Sequence, residues 1–207
     1  MSIAARPRAA TAINQSFCPR VLGTIAMPGV GAAIWQRDVA PTLLKWLEEL
    51  PTDHLPRLRE RLRPKDAAAA VKAACITART PASPERDKFV AEVSDLVQVA
   101  AAQTGAVMVD LRLDSVFGQP CPKWHLDAVR ARFLCTLRGA GTEFGPAGSD
   151  GDVTATHRVP LGCAAMFRGR DWPGEEVLGI LHRSPPTENG QCRFLVVVDP
   201  VDPIGTC

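Results

Sequence analysis

The sequence predicts an α+β fold in which N-terminal helices pack on a C-terminal, mostly antiparallel sheet that closes into a barrel. Three observations predict it. Before Gly105, apolar residues recur at helical spacing. After Gly105 they alternate, in short runs separated by turn residues such as "DWPG" and "PPTENG". Hydrophobic residues make up 46% of the chain and charged residues 22%, enough to build a core over 207 residues. The expected organisation is a flexible tail at 1–30 and a single domain at 31–205. Residues 31–105 form its helical half and 106–205 its β-barrel half.

In the helical half, Leu43, Trp46, Leu47 and Leu50 recur at helical spacing, with Asp38 as the expected cap, Pro41 tolerable in the first turn and Pro51 as the stop. A second helix is expected over "DHLPRLRERL" and a third over "KDAAAAVKAACITA". The clearest helix starts at Ser83, a good N-cap, followed by Pro84 and Glu85. Phe89, Val93, Leu96 and Ala100 form its apolar stripe, and Gly105 ends it. In the β half, Val107, Val109, Leu111 and Leu113 share one face of a strand. "VRARFLCTLRG", "CAAMFRG", "EVLGILH" and "RFLVVVD" read as further strands, and "EFGPAGSDGD" as a polar loop.

Charge and cysteine usage exclude several classes. The formal net charge is only +2 and no basic patch stands out, so nucleic acid is not an expected partner. Seven cysteines, an odd number with no C-x-x-C pair, argue against a disulfide framework and for a reducing, cytoplasmic setting. The apolar run "VLGTIAMPGVGAAIW" is too short and glycine-rich to span a bilayer, so no membrane is expected. No G-x-S-x-G elbow and no P-loop lysine occur.

The chemistry-bearing stretch is "CPKWHLD". If it is extended, His125 and Asp127, at i and i+2, point to one face. A buried carboxylate needs a positive partner, and a divalent metal would provide one. His182 closes an apolar strand ahead of a proline turn and supplies a third donor. His125, Asp127 and His182 together spell a two-His-one-carboxylate triad, which leaves positions open on Fe(II). Arg193 follows His182 by eleven residues across a turn, where a long cation can grip a carboxylate bidentately. Double-stranded β-helix (cupin-like) oxygenases use a basic residue at such a place to hold 2-oxoglutarate. Arg130 and Arg132 are expected on the opposite face, meeting solvent. Cys121 is a possible additional ligand, and a thiolate would favour Zn.

Three functions follow from this set: an Fe(II)/2-oxoglutarate-type oxygenase acting on a small molecule or a protein; a non-catalytic zinc-binding accessory protein; and a metallohydrolase with Glu143 as its base. The fourth reading is a cupin-like barrel without metal, used for interaction.

The segments Cys121 to Asp127, Arg138 to Glu143, Arg168 to Gly174 and His182 to Pro185, with "IWQR" at Ile34 to Arg37, resemble a bacterial family known as domain of unknown function 1826. Leu137 stands where members often have tyrosine. The family carries no established activity. Its context, near CobW-like GTPases linked to zinc supply, implies metal homeostasis and a CobW-like GTPase as partner.

Overall fold

The structure, a computed structural model, describes residues 9–186 and 191–201. Twelve strands and three α-helices are formed among these residues. The strands are β1 (Ala9–Ala10), β2 (Ala12–Ser16), β3 (Val30–Trp35), β4 (Leu58–Leu62), β5 (Met108–Phe117) and β6 (Ala131–Arg138). They continue with β7 (Glu143–Pro146), β8 (His157–Arg158), β9 (Ala164–Arg168), β10 (Val177–Leu178), β11 (Ile180–Arg183) and β12 (Cys192–Val201). The helices are α1 (Pro41–Glu49), α2 (Ala67–Thr77) and α3 (Pro84–Thr104).

A seven-stranded sheet in the order β2-β3-β9-β6-β12-β5-β4 forms the main layer, antiparallel except for the β2–β3 pair. A three-stranded sheet, β11-β7-β8, covers part of one face, and β1 pairs with β10. The fold is thus mixed α+β and dominated by strands. Hydrogen bonding runs in three separate sheets rather than around one closed barrel. The face of the main sheet under the helices carries Val109, Leu111, Leu113, Phe133, Phe194, Val196 and Val198, packed with Phe89, Val93 and Leu96 of α3. The other face carries Ile34, Leu134, Phe167, Leu195 and Val197, packed with Phe144 and Ile180 of the small sheet. Strand β12 is buried on both faces, which is why "FLVVV" is continuously apolar.

Helix α3 forms as its sequence dictates. Ser83 Oγ accepts from the Arg86 amide at 3.2 Å, Phe89, Val93, Leu96 and Ala100 are buried, and Gly105 closes it at φ +70°. Helix α2 also lies where expected. Helix α1 is capped at Ala40, so Asp38 is not its cap. Val107 is exposed, because β5 begins one residue later.

Two expectations are corrected. "DHLPRLRERL" is not a helix: Leu58–Leu62 form edge strand β4 against β5, after a short 3-10 turn at Thr52–His54. Leu55, Leu58 and Leu62 mimic helical spacing, but Pro56 removes an amide and biases Leu55 to extended backbone, and the open edge of β5 captures the segment. Nor are residues 9–30 a tail. They supply β1, β2 and a 3-10 helix, Pro19–Ala26, whose Val21, Leu22 and Ile25 are buried in the core. Arg168, itself buried, holds this segment through the carbonyls of Ile25 (2.9 Å) and Met27 (2.7 Å) and pairs with Glu176 at 2.6 Å. Its guanidinium stacks on Trp172 at 4.6 Å. The "RGRDWPG" segment is therefore a structural clamp. Strand β3 was missed because it too is buried on both faces and shows no alternation. Among the described residues, no helix is long and apolar enough to cross a membrane, and all six described cysteines are free.

Candidate metal centre

His125 and His182 are held against each other by backbone. Each amide donates to the other's carbonyl at 3.1 Å, an isolated antiparallel bridge between the "CPKWHLD" segment and β11. Ser184 N donates to Cys121 O at 3.0 Å, and Gln119 Nε2 to Ser184 O at 2.7 Å, extending the seam. Glu143 braces the same seam. Its two carboxylate oxygens accept from Arg158 (2.7 Å) and Arg183 (2.9 Å), and Arg183 lies 4.2 Å over the Trp124 ring. The residues next to both histidines are thus tied to one buried carboxylate.

Donor atoms of His125, Asp127 and His182 all lie within 4.8 Å of one another. His125 Nδ1 is 2.9 Å from the Lys123 carbonyl and can only donate to it, which leaves Nε2 as the lone-pair nitrogen, 3.8 Å from Asp127 Oδ1. His182 Nε2 lies 2.8 Å from Asp127 Oδ2. The pair is close but misaligned: Asp127 Oδ2 has no hydrogen-bond partner, and neither has His182 Nδ1, although both atoms are buried. Asp127 Oδ1 is taken by Arg132 Nη1, and Arg132 is in turn bound by both oxygens of Asp199 (2.8 and 2.7 Å).

The electrostatics match this geometry. Burial disfavours the Asp127 charge, but His182 and Arg132 more than offset it and hold its carboxyl below the usual range. Burial also pushes the His182 imidazole down, against the pull of Asp127, so that it is neutral at pH 7. Two imidazoles and one carboxylate, with a buried oxygen lacking a donor, are a set that fits a divalent ion such as Fe(II).

Arg193 enters the same pocket, lined also by Leu134, Thr142, Leu195 and Val197. It is buried, with Nε donating to Ala140 O at 2.6 Å and Nη2 to Thr142 Oγ1 at 3.4 Å. Among the described residues it has no salt bridge. Burial and the Arg158 charge push its pKa down to about 10, against Glu143. Cys121 lines the pocket but is exposed and stands outside the converging donors.

Arg132 corrects the sequence reading, which put it in solvent opposite His125. Residues 126–130 are not strand, so alternation cannot be counted through them, and β6 begins only at Ala131. Its contact with Asp127 carried no sequence signal. Glu143, expected as a possible hydrolytic base, has both oxygens committed to arginines that, against burial, hold it below the usual carboxylate range. His54 and His157 lie outside the cluster.

No curated protein matches the sequence. Solved structures do resemble the fold. The dioxygenase for auxin oxidation 1 from Arabidopsis thaliana, described as a 2-oxoglutarate binary complex, is 13% identical with a TM-score of 0.55, covering 94% of this chain and 93% of that one. The dioxygenase for auxin oxidation in rice is 15% identical with a TM-score of 0.53, covering 94% and 84%. At these identities the likeness establishes the fold alone. In sequence, residues 16–199 match the family described as "Protein of unknown function (DUF1826)", and the chain belongs to that family.

Proposed function

We propose that the protein is an Fe(II)/2-oxoglutarate-type oxygenase. The observation that carries the reading is the gathering of His125, Asp127 and His182 beside Arg193, a buried cation without a carboxylate partner among the described residues. His125 and His182 would each present a ring nitrogen to the ion. Asp127 would present Oδ2 alone, because Arg132 holds Oδ1. Arg193 would grip the distal carboxylate of 2-oxoglutarate through guanidinium hydrogens that Ala140 and Thr142 leave free. Leu134, Leu195 and Val197 keep the floor between them apolar. Iron and 2-oxoglutarate, when bound, supply the oxygen chemistry, and the protein supplies position and a dry pocket. The fold shared with a dioxygenase described as a 2-oxoglutarate complex supports the reading.

The test is anaerobic Fe(II) titration followed by 2-oxoglutarate-dependent oxygen uptake. One ion per chain and uptake that vanishes in Asp127→Ala are expected. Stoichiometric iron binding with no uptake, with or without added substrates, would overturn the assignment. A zinc-holding accessory role, supplied by a CobW-like GTPase, would need Cys121 as a further donor, and its exposed position outside the cluster gives that role less support.

A further inference from the structure

The floor of the pocket is one face of the main sheet, and its register places two arginines at opposite ends. Val197 pairs with Arg112, and Arg193 pairs with Val116. Arg112 is thus one strand over from Arg193 and four residues further along. At about 3.3 Å per residue and 4.8 Å between strands, their backbones stand about 14 Å apart. Leu195 and its register partner Asp114 lie between them on the same face, Val197 flanks Arg112, Val116 flanks Arg193, and Leu134 pairs with Val197 on the far side.

Arg112 is mostly buried and poorly satisfied. Its ion pairs, to Asp114 at 3.9 Å and Asp199 at 3.6 Å, are too long to be hydrogen bonds. Asp199 instead places both its oxygens on Arg132. Arg112 Nε is buried with no hydrogen-bond partner. A guanidinium loses much by leaving water unless its donors are met. Arg112 also lines a second, outward-opening groove with Arg59, Glu60, Arg61, Asp110, Arg132 and Asp199, so the candidate metal centre and this groove meet at Arg112 and Arg132. Arg61 is neutralised there by Asp110, at 2.7 and 2.8 Å, whereas Arg59 pairs in register with Arg112 and adds a second cation beside it.

We infer that Arg112 is the docking point for a carboxylate on the substrate, a small molecule with an apolar body that enters by this groove. The planar fork of Arg112 suits a carboxylate. Asp114 and Asp199 beside it penalise a dianion such as phosphate more than a singly charged carboxylate. The apolar body would lie over Val197 and Leu134, next to the metal-binding donors. As a substrate site this rests on the oxygenase reading; as a carboxylate site it stands on the geometry of Arg112 alone.

The test uses the full chain and hexanoate as probe, with hexanamide as the uncharged control, by calorimetry without oxygen. Hexanoate should bind at least tenfold tighter than hexanamide. Arg112→Gln should lose at least tenfold of that affinity, and Arg193→Gln should change it less than threefold. In the wild-type protein, where no variant has to fold, hexanoate should protect Arg112 from phenylglyoxal, mapped by peptide mass spectrometry, and leave Arg59 reactive. Equal binding of acid and amide, no hexanoate binding, dependence on Arg193 instead of Arg112, or no protection of Arg112 would each overturn the inference. A parallel 2-oxoglutarate titration separates the two readings: if it fails while hexanoate still binds through Arg112, the oxygenase assignment falls and the carboxylate site remains.

Discussion

Replacing Arg193 with methionine should make the protein more stable and less able to bind 2-oxoglutarate. The guanidinium is buried, and its pKa is pushed down to about 10 chiefly by that burial. A depression of that size corresponds to roughly 3 kcal/mol against the charged form at neutral pH. The sign follows from linkage: a cation with a depressed folded pKa weakens the fold while charged, and relief comes only as pH rises through about 10. Methionine removes the charge and keeps the apolar stem. It also gives up the charge-assisted bond to Ala140 at 2.6 Å and the long one to Thr142 at 3.4 Å, about 2 kcal/mol together. The net expectation is a gain of about 1 kcal/mol in urea unfolding. Binding moves the other way. Removing one partner of a buried charge-assisted pair costs about 3 kcal/mol, so 2-oxoglutarate affinity should fall more than 100-fold. At a ligand concentration of about 100 Kd the wild type should gain about 2.7 kcal/mol from 2-oxoglutarate, and the variant almost none. A variant that is less stable than wild type, or that binds 2-oxoglutarate within threefold of it, would refute the reasoning and make Arg193 a structural arginine.

Arg132→Met should free Asp127 Oδ1 and weaken divalent-metal affinity about 10- to 100-fold, read by competition with a chelating dye, while the three donors stay in place. Glu143 is held below the usual carboxylate range by Arg158 and Arg183 against burial, so its stabilisation is full above the unfolded value, about 4.3, and is lost as pH falls through the lower folded value. Glu143→Gln should therefore cost about 3 kcal/mol at pH 7 and flatten the acid limb of the stability profile, measured by urea unfolding across pH. Gly145→Ala places a Cβ 1.9 Å from the Ala155 carbonyl, so the small sheet carrying His182 must shift; thermal unfolding should show a loss of more than 3 kcal/mol, or the chain should fail to fold. Cys121→Ser should leave metal content unchanged by elemental analysis, since its thiol lies outside the donor cluster.

Local signals determined a good part of this protein. The Ser83 cap, the apolar stripe of α3 and the Gly105 stop need no distant partner, so helix α3 could be read directly. The alternation in β5 and the long apolar run of β12 were legible for the same reason. The candidate residues His125, Asp127 and His182 stood out as residue types whose chemistry is rare in combination, and Arg193 by its spacing from His182; the fold brings the first three together. What the sequence could not decide was set by partners far along the chain. β4 is a strand because the edge of β5 was open to it, although its leucines repeat like a helix. β3 was invisible because burial on both faces erases alternation. Arg132 was misplaced because a five-residue coil resets the direction of a side chain, and only the fold brings Asp199 and Asp127 to meet it. The general reason is one of range. Caps and periodic faces are fixed by neighbours a few residues away, whereas sheet edges, double burial and ion networks depend on which distant segments the tertiary structure brings together.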